Sequence, residues 1–279
     1  MAEKFLLAFS PCPNDTFMFA ALANGWMDTG ELKFEIILAD IEELNRLAGD
    51  GKTDISKMSF PAFAHAADEY VLLRSGSALG KGCGPLLISK NKYKEEEVKN
   101  LSIAIPGRRT TANLLLGIFF PDAESKTEMV FSEIENALLE GKCDAGVIIH
   151  ENRFTYRQKG LQLLSDLGKT WEETMQMPKP LVCKAGKRNL VKEVLLKLES
   201  LIKKNIEYAY ANPEKVMPYV RAHAQEMDEH VMQQHIELYV NRYSIALGAE
   251  GKQAVAALLN KGHKAGLLPS INKEIFLHG

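Results

Sequence analysis

Cysteine is scarce in this sequence, and none of it is paired by spacing. Cys12, Cys83, Cys143 and Cys183 lie far apart with no Cys-x-x-Cys among them. That excludes a zinc knuckle and reads as free thiols of a reducing compartment. Long hydrophobic runs are missing too, since no stretch approaches the roughly 20 apolar residues of a membrane span. The N-terminal apolar run covers only residues 5–9 before Pro11, Asn14 and Asp15 end it. It is no secretory signal, and a cytoplasmic location is expected. An excess of one charge sign is also lacking: the net charge is −2 with no basic stripe, which argues against nucleic-acid and acidic-membrane partners.

Cofactor signatures are missing as well. Residues 76–84 (GSALGKGCG) are glycine-rich, but the spacing fits neither a dinucleotide fingerprint nor a Walker loop, and a strand follows where those motifs need a helix. His150-Glu151 lacks the second histidine of a zincin helix four positions on. His230 and His235, five apart, do not share a helix face. His65, His223, His263 and His278 read as surface or capping residues. No cofactor and no metal are therefore expected, and the partner expected is a small molecule. No internal repeat or low-complexity segment is present.

What is present is an alternation of strand-like and helix-like patterns. The 279 residues, 46% apolar and 25% charged, have globular composition and allow one large domain or two ordinary ones. Residues 5–9, 34–39, 54–58, 70–73 and 85–89 read as strands. Between the earlier ones, residues 15–25, 41–48 and 61–67 read as helices, with Asn14 as N-cap of the first. After a polar stretch at 90–99 a second series begins. Its strands are 102–105, 128–131, 145–149 and 161–164; its helices are 111–119 and 133–139. The order predicts mostly parallel sheets with helices on both faces.

From residue 189 the chain reads as helical. Leu190, Val194, Leu198, Leu201 and Ile202 form one apolar face, Pro213 starts another helix, and residues 228–243 and 250–265 add two more. Two α/β series with a helical tail predict an α/β fold of two lobes with a cleft between them. The lobes expected are residues 1–90 plus 176–279, discontinuous, and residues 91–175. The crossings are placed near 90–99 and 171–180, with hinge closure over a ligand as the expected motion.

Candidate site residues cluster where strands end. His150 follows the apolar run Ala145-Gly-Val-Ile-Ile149 and precedes Glu151-Asn152-Arg153, so it sits at the carboxyl end of a buried strand, where α/β folds hold their ligands. There it can serve as a general base; a capping or core histidine is the plain alternative. The loop at 10–17 (SPCPNDTF) follows a strand and opens a helix whose N-terminus can bind an anion. An ordinary capped turn explains it equally. Cys12, between two prolines, is a nucleophile only if a base lies near.

Lys57 can pair with a carboxylate and Ser59 can hydrogen-bond it, though a solvated lysine is the commoner fate. Gly107 permits a sharp turn. Thr110 and Thr111 then place two hydroxyls at a helix start, of which plain N-capping accounts for one. Trp171, Met175 and Met177 read as core packing.

Together these segments resemble one family, the 1,4-dihydroxy-6-naphthoate synthases of the futalosine route to menaquinone. The matching stretches are residues 10–17, 72–79 (LLRSGSAL), 84–86 (GPL), 106–108 with 110–112, 148–156 (IIHENRFTY), 166–173 (DLGKTWEE) and 221–226 (RAHAQE). The resemblance runs nearly end to end. It implies a two-lobed, periplasmic-binding-protein-like (type II) fold used as a cytoplasmic enzyme. It implies a carbon-carbon lyase that converts cyclic dehypoxanthine futalosine to 1,4-dihydroxy-6-naphthoate and a three-carbon fragment, dihydroxyacetone. It further implies His150 as general base, with Lys57, Met58, Ser59, Thr110 and Thr111 contacting a carboxylate substrate.

The sequence departs from the family at 177–183 (MPKPLVC), where Lys179 replaces an apolar residue and Val182-Cys183 a flexible pair, and at Arg109. These changes bear on pocket shape and hinge. Two other readings stay open: a non-catalytic small-carboxylate-binding protein, and the chorismate dehydratase of the same pathway.

Overall fold

The computed structural model describes residues 4–149, 152–224 and 228–278. The first series runs β1 (Lys4–Phe9), α1 (Pro13–Ala23), β2 (Lys33–Leu38), α2 (Ile41–Gly49), β3 (Ile55–Ser59), α3 (Phe60–Ala66), β4 (Tyr70–Leu72) and β5 (Ala78–Gly80). The second runs β6 (Leu86–Ser89), β7 (Ile103–Ile105), α4 (Thr111–Phe119), β8 (Lys126–Glu128), α5 (Ile134–Leu139), β9 (Ala145–Ile148), α6 (Asn152–Thr155), β10 (Gln162–Asp166) and α7 (Leu167–Met175). Then follow β11 (Lys179–Lys187) and α8 (Lys192–Ala211), α9 (Pro213–His223), α10 (Glu229–Tyr239), α11 (Arg242–Ile245) and α12 (Gly248–Lys264).

Two sheets result. The first has the order β2-β1-β3-β11-β4, with β5 also on β11; the second has the order β10-β6-β9-β7-β8. Parallel pairing holds for β1 with β2 and β3, and for β7 with β8 and β9. The sheets are nonetheless mixed rather than mostly parallel. β11 runs antiparallel to β3, β4 and β5, and β6 antiparallel to β9 and β10.

The first crossing between sheets falls at residues 81–85, ahead of the polar stretch at 90–99. That stretch leads into a largely exposed 3-10 segment, Glu95–Asn100, and is not a crossing. Gly82 and Gly84 take positive φ within the true crossing (66° and 116°), where a side chain would be strained.

Local chemistry sets the element ends. Asp40 caps α2 by accepting from the N–H groups of Glu42 and Glu43, and Thr110 caps α4 through Asn113 N–H. Asn14 is not a cap. α1 starts at Pro13, and the Cys12 carbonyl accepts from Asp15 and Thr16 N–H at 3.0 Å each. The strand expected at 128–131 is Lys126–Glu128, because buried Phe131 opens a 3-10 turn instead. The helix expected at 228–243 splits. Asn241 caps a new turn through Tyr243 N–H and ties its side-chain amide to Leu79 O at 2.8 Å. From the tail, α8, α9 and α10 pack on α1, while α12 packs on β11, α3 and α4.

β9 lies at the centre of the second sheet, and its close packing sets a test. A Cβ on Gly146 would come within 2.5 Å of Ile134 Cγ2 and 3.4 Å of Leu138 Cδ1, both in fully buried side chains. Gly146→Ala should destabilise the protein by about 1–3 kcal/mol through overpacking, read as a lowered urea midpoint at unchanged slope.

Candidate active site

The carboxyl ends of β1, β3, β7 and β9 converge on one cavity. It is lined by Asn14 after β1, Lys57 and Ser59 on β3, Thr110 and Thr111 after β7, and Ile149 after β9. Leu181 and Val182 of β11 and His235 and Tyr239 of α10 complete much of the wall. This is where α/β folds hold ligands. His150 lies outside the described residues.

Strand alternation sorts the Lys57-Met58-Ser59 triplet. Lys57 and Ser59 turn to the cavity. Met58, one residue out of phase, does not line it, and its fully buried side chain packs in the core with Phe60, Phe63 and Cys183. A substrate contact through the Met58 side chain is therefore corrected to a packing role.

Lys57 is not solvated. It is 1% exposed, its Nζ lies 2.6 Å from Asp15 Oδ2, and it donates to Ser10 Oγ at 2.8 Å. Ser10 in turn donates to Asp15 Oδ2 at 2.7 Å. Lys184, on β11 and in register with Lys57, places its Nζ 2.8 Å from Asp15 Oδ1. Burial alone would raise the Asp15 carboxyl, but Lys184 and Lys57 overturn that and hold it well below the usual carboxylate range. The helix-start loop thus encloses an acid of its own sequence.

Ser59 is fixed by Asn45. Its N–H donates to Asn45 Oδ1 at 2.8 Å, and Asn45 Nδ2 donates to Ser59 Oγ at 3.2 Å. Asn45 Nδ2 also reaches Arg109 O at 3.5 Å, so it bridges the first sheet's layer to the turn after β7.

The two threonines divide their work. Thr110 Oγ1 donates to Gly107 O at 2.8 Å while accepting the capping N–H. Thr111 Oγ1 donates across the cavity edge to Leu181 O at 2.5 Å. Cys12 is not among the cavity's lining residues.

At the departures from the family pattern, Lys179 is fully buried and its Nζ lies 3.2 Å from Glu172 Oε1, which also accepts Gly82 N–H at 2.8 Å. Val182 lines the cavity. Cys183 turns into the core, where burial pushes its thiol up to about 12.

The sequence reading missed His235, Tyr239 and Lys184. His235 and Tyr239 are four apart on α10, with rings 4.6 Å apart, a spacing that places both on one face. His235 Nε2 lies 3.1 Å from Asn14 Oδ1. Burial, with Lys57 adding to it, lowers the imidazole from the ordinary 6.5 to about 3.

The lowered value carries a sign. Between pH 6.5 and 3 the unfolded chain binds a proton at His235 that the folded chain refuses. Stability is therefore lost as pH falls through that window, by up to about 1.4 kcal/mol per unit. His235→Gln, which keeps a donor for Asn14, should flatten that stretch of the stability profile and leave the slope above pH 7 unchanged, as measured by urea unfolding at a series of pH values.

Comparison with known proteins places the chain. A family model described as menaquinone biosynthesis matches residues 5–264. The 1,4-dihydroxy-6-naphtoate synthase of Thermus thermophilus is 39% identical over 275 residues, covering 99% of this chain and 100% of the relative. That of Streptomyces coelicolor is 38% identical, covering 98% of each.

The crystal structure of protein AF1704 from Archaeoglobus fulgidus superposes with a TM-score of 0.90 at 33% identity, covering 95% of this chain and 98% of that one. The alkanesulfonate-binding protein of Xanthomonas axonopodis superposes at 0.72 with 11% identity, over 96% of this chain and 94% of its own, a likeness of fold alone. With a two-sheet, periplasmic-binding-protein-like architecture and these relatives, the chain belongs to the menaquinone-biosynthesis family and, within it, to the 1,4-dihydroxy-6-naphthoate synthases.

Proposed function

We propose that this enzyme cleaves cyclic dehypoxanthine futalosine to 1,4-dihydroxy-6-naphthoate and dihydroxyacetone, with His150 as the general base. One observation carries the assignment of the base: Ile149, the residue before it, lines the cavity that Lys57, Ser59, Thr110 and Thr111 also line. His150 takes the proton of a substrate hydroxyl and so starts carbon-carbon cleavage. Among the described lining residues Lys57 alone carries a charge, and it receives the substrate carboxylate together with the Ser59 hydroxyl. Ile41, Ile149, Leu181 and Val182 give the aromatic ring an apolar wall, and the threonine hydroxyls serve the polyhydroxylated ring.

Closure belongs to the mechanism. The cavity holds about 60 Å³, against roughly 300–1,000 Å³ for small-molecule sites. The two sheets, with their helices, separate to admit the substrate and close to exclude water. The Thr111–Leu181 hydrogen bond spans that separation and breaks on opening. The chain passes between the two bodies at residues 81–85 and again between α7 and β11.

His150→Ala should keep its unfolding midpoint and lose turnover by about 10²–10⁴-fold. The check is mass detection of 1,4-dihydroxy-6-naphthoate after incubation with the cyclic futalosine derivative, beside a parallel incubation with chorismate. Near-wild-type product from the variant rules out His150 as the base. Enolpyruvyl benzoate from chorismate assigns the dehydratase reaction instead, and binding without turnover assigns a binding protein.

A further inference from the structure

The proposed reaction leaves the hydroxyl of Tyr239 unused. Its side chain lines the cavity from α10, is 6% exposed, and holds its ring 4.6 Å from that of His235. The Arg153 side chain hydrogen-bonds the phenol. A guanidinium carries donors and no acceptor, so the phenol oxygen accepts. The Gly84 backbone bonds the phenol in the sense that favours the phenolate, so its N–H donates as well. A phenol that accepts on its oxygen has one group left to give, its own O–H. Burial pushes this phenol well above the ordinary tyrosine value, and the O–H keeps its proton across the neutral range.

Arg153 is itself held from two sides. Its Nη1 donates to Gly84 O at 2.7 Å, and Gly84 lines the cavity within the crossing between the sheets. One residue earlier on α6, Asn152 Nδ2 donates to Glu135 Oε2 at 2.5 Å, and the same oxygen accepts from Lys159 Nζ at 2.6 Å. Glu135 is buried on α5, which packs on β9. The segment that follows His150 in sequence thus carries a guanidinium from the second sheet to a tyrosine of the helical tail.

We propose that Tyr239 is a catalytic residue of the same reaction, its O–H the fixed donor for the oxyanion formed as the carbon-carbon bond breaks, and that Arg153 is the positioning residue that aims it. When His150 takes the hydroxyl proton, the oxygen's electron pair forms a carbonyl on one fragment and the carbon-carbon bond breaks. The pair from that bond passes into a conjugated carbonyl of the other fragment, whose oxygen becomes the oxyanion. No oxidant or reductant is consumed. A preorganised donor in a closed cavity stabilises that charge far more than it stabilises the neutral carbonyl. Donation from Arg153 polarises the phenol and strengthens its own O–H as a donor. The chemistry rests on the lyase reading, whereas the donor is measurable without turnover.

The test uses 5-hydroxy-2-naphthoate and 8-hydroxy-2-naphthoate, each the product lacking one hydroxyl, titrated by absorbance while bound to the whole chain. On the wild type, the hydroxyl of one of them should ionise at least 10-fold more readily than on Tyr239→Phe, which keeps the ring and loses the donor. Arg153→Met should shift it the same way by less, and Arg153→Lys should recover part of that loss. With the natural substrate, kcat of Tyr239→Phe should fall about 10²–10³-fold while KM changes less than 3-fold. Equal ionisation on wild type and Tyr239→Phe overturns the donor role, as does weaker binding of both probes with no change in ionisation. Wild-type ionisation on Arg153→Met overturns the positioning role. Should Tyr239→Phe fail to fold, the wild type decides alone, because a bound hydroxyl that ionises no more readily than in free solution overturns the proposal. If the ionisation gain is found without lyase activity, the proposed reaction fails and the donor site stands.

Discussion

Everything around the cavity is arranged about Asp15. Its carboxylate accepts from Ser10 in the loop after β1, from Lys57 on β3 and from Lys184 on β11, so three segments of the first sheet meet at one buried acid. Asn14 extends the network to His235 on α10 and thereby to the helical tail. Removal of Asp15 would leave the Lys57 and Lys184 ammonium groups buried without the carboxylate they share, a larger penalty than the net worth of the pairs. The same arrangement fixes the cavity's electrostatics, because the lysine on its wall is held by an acid it must share.

The fold was legible in the sequence wherever one period dominated. Helix 111–119 was located to the residue because Gly107 and Thr110 mark its start. The parallel portions of both sheets followed from the β-α-β order. β11 was not legible. Lys179, Lys184 and Lys187 interrupt its apolar pattern, and only the tertiary partners Glu172, Asp15 and Asp54 make those lysines compatible with a strand in the middle of a sheet. The antiparallel insertion of β11, which turns the first sheet from parallel to mixed, was hidden with it.

The candidate site was legible where residues sit at strand ends: Lys57, Ser59, Thr110 and Thr111 all reach the cavity. Met58 was carried along by adjacency and fails on strand alternation. His235 was considered only as half of a metal pair and set aside on spacing, although its helical partner is Tyr239. A residue delivered from a distant tail leaves no local signal at the motif it joins. Lys184 lies 169 positions from Asp15, so no window of sequence contains both.

Glu172 has a mechanical consequence. Its Oε1 accepts both the Gly82 N–H and the Lys179 ammonium, and those two residues flank the separate passages of chain between the sheets. A pair of independent connections would let the second sheet twist and slide as well as swing. Fastened to one carboxylate, the two passages are tied to each other, so the proposed closure would turn about a single pivot. In this arrangement that tie holds Thr111 on the Leu181 carbonyl of β11.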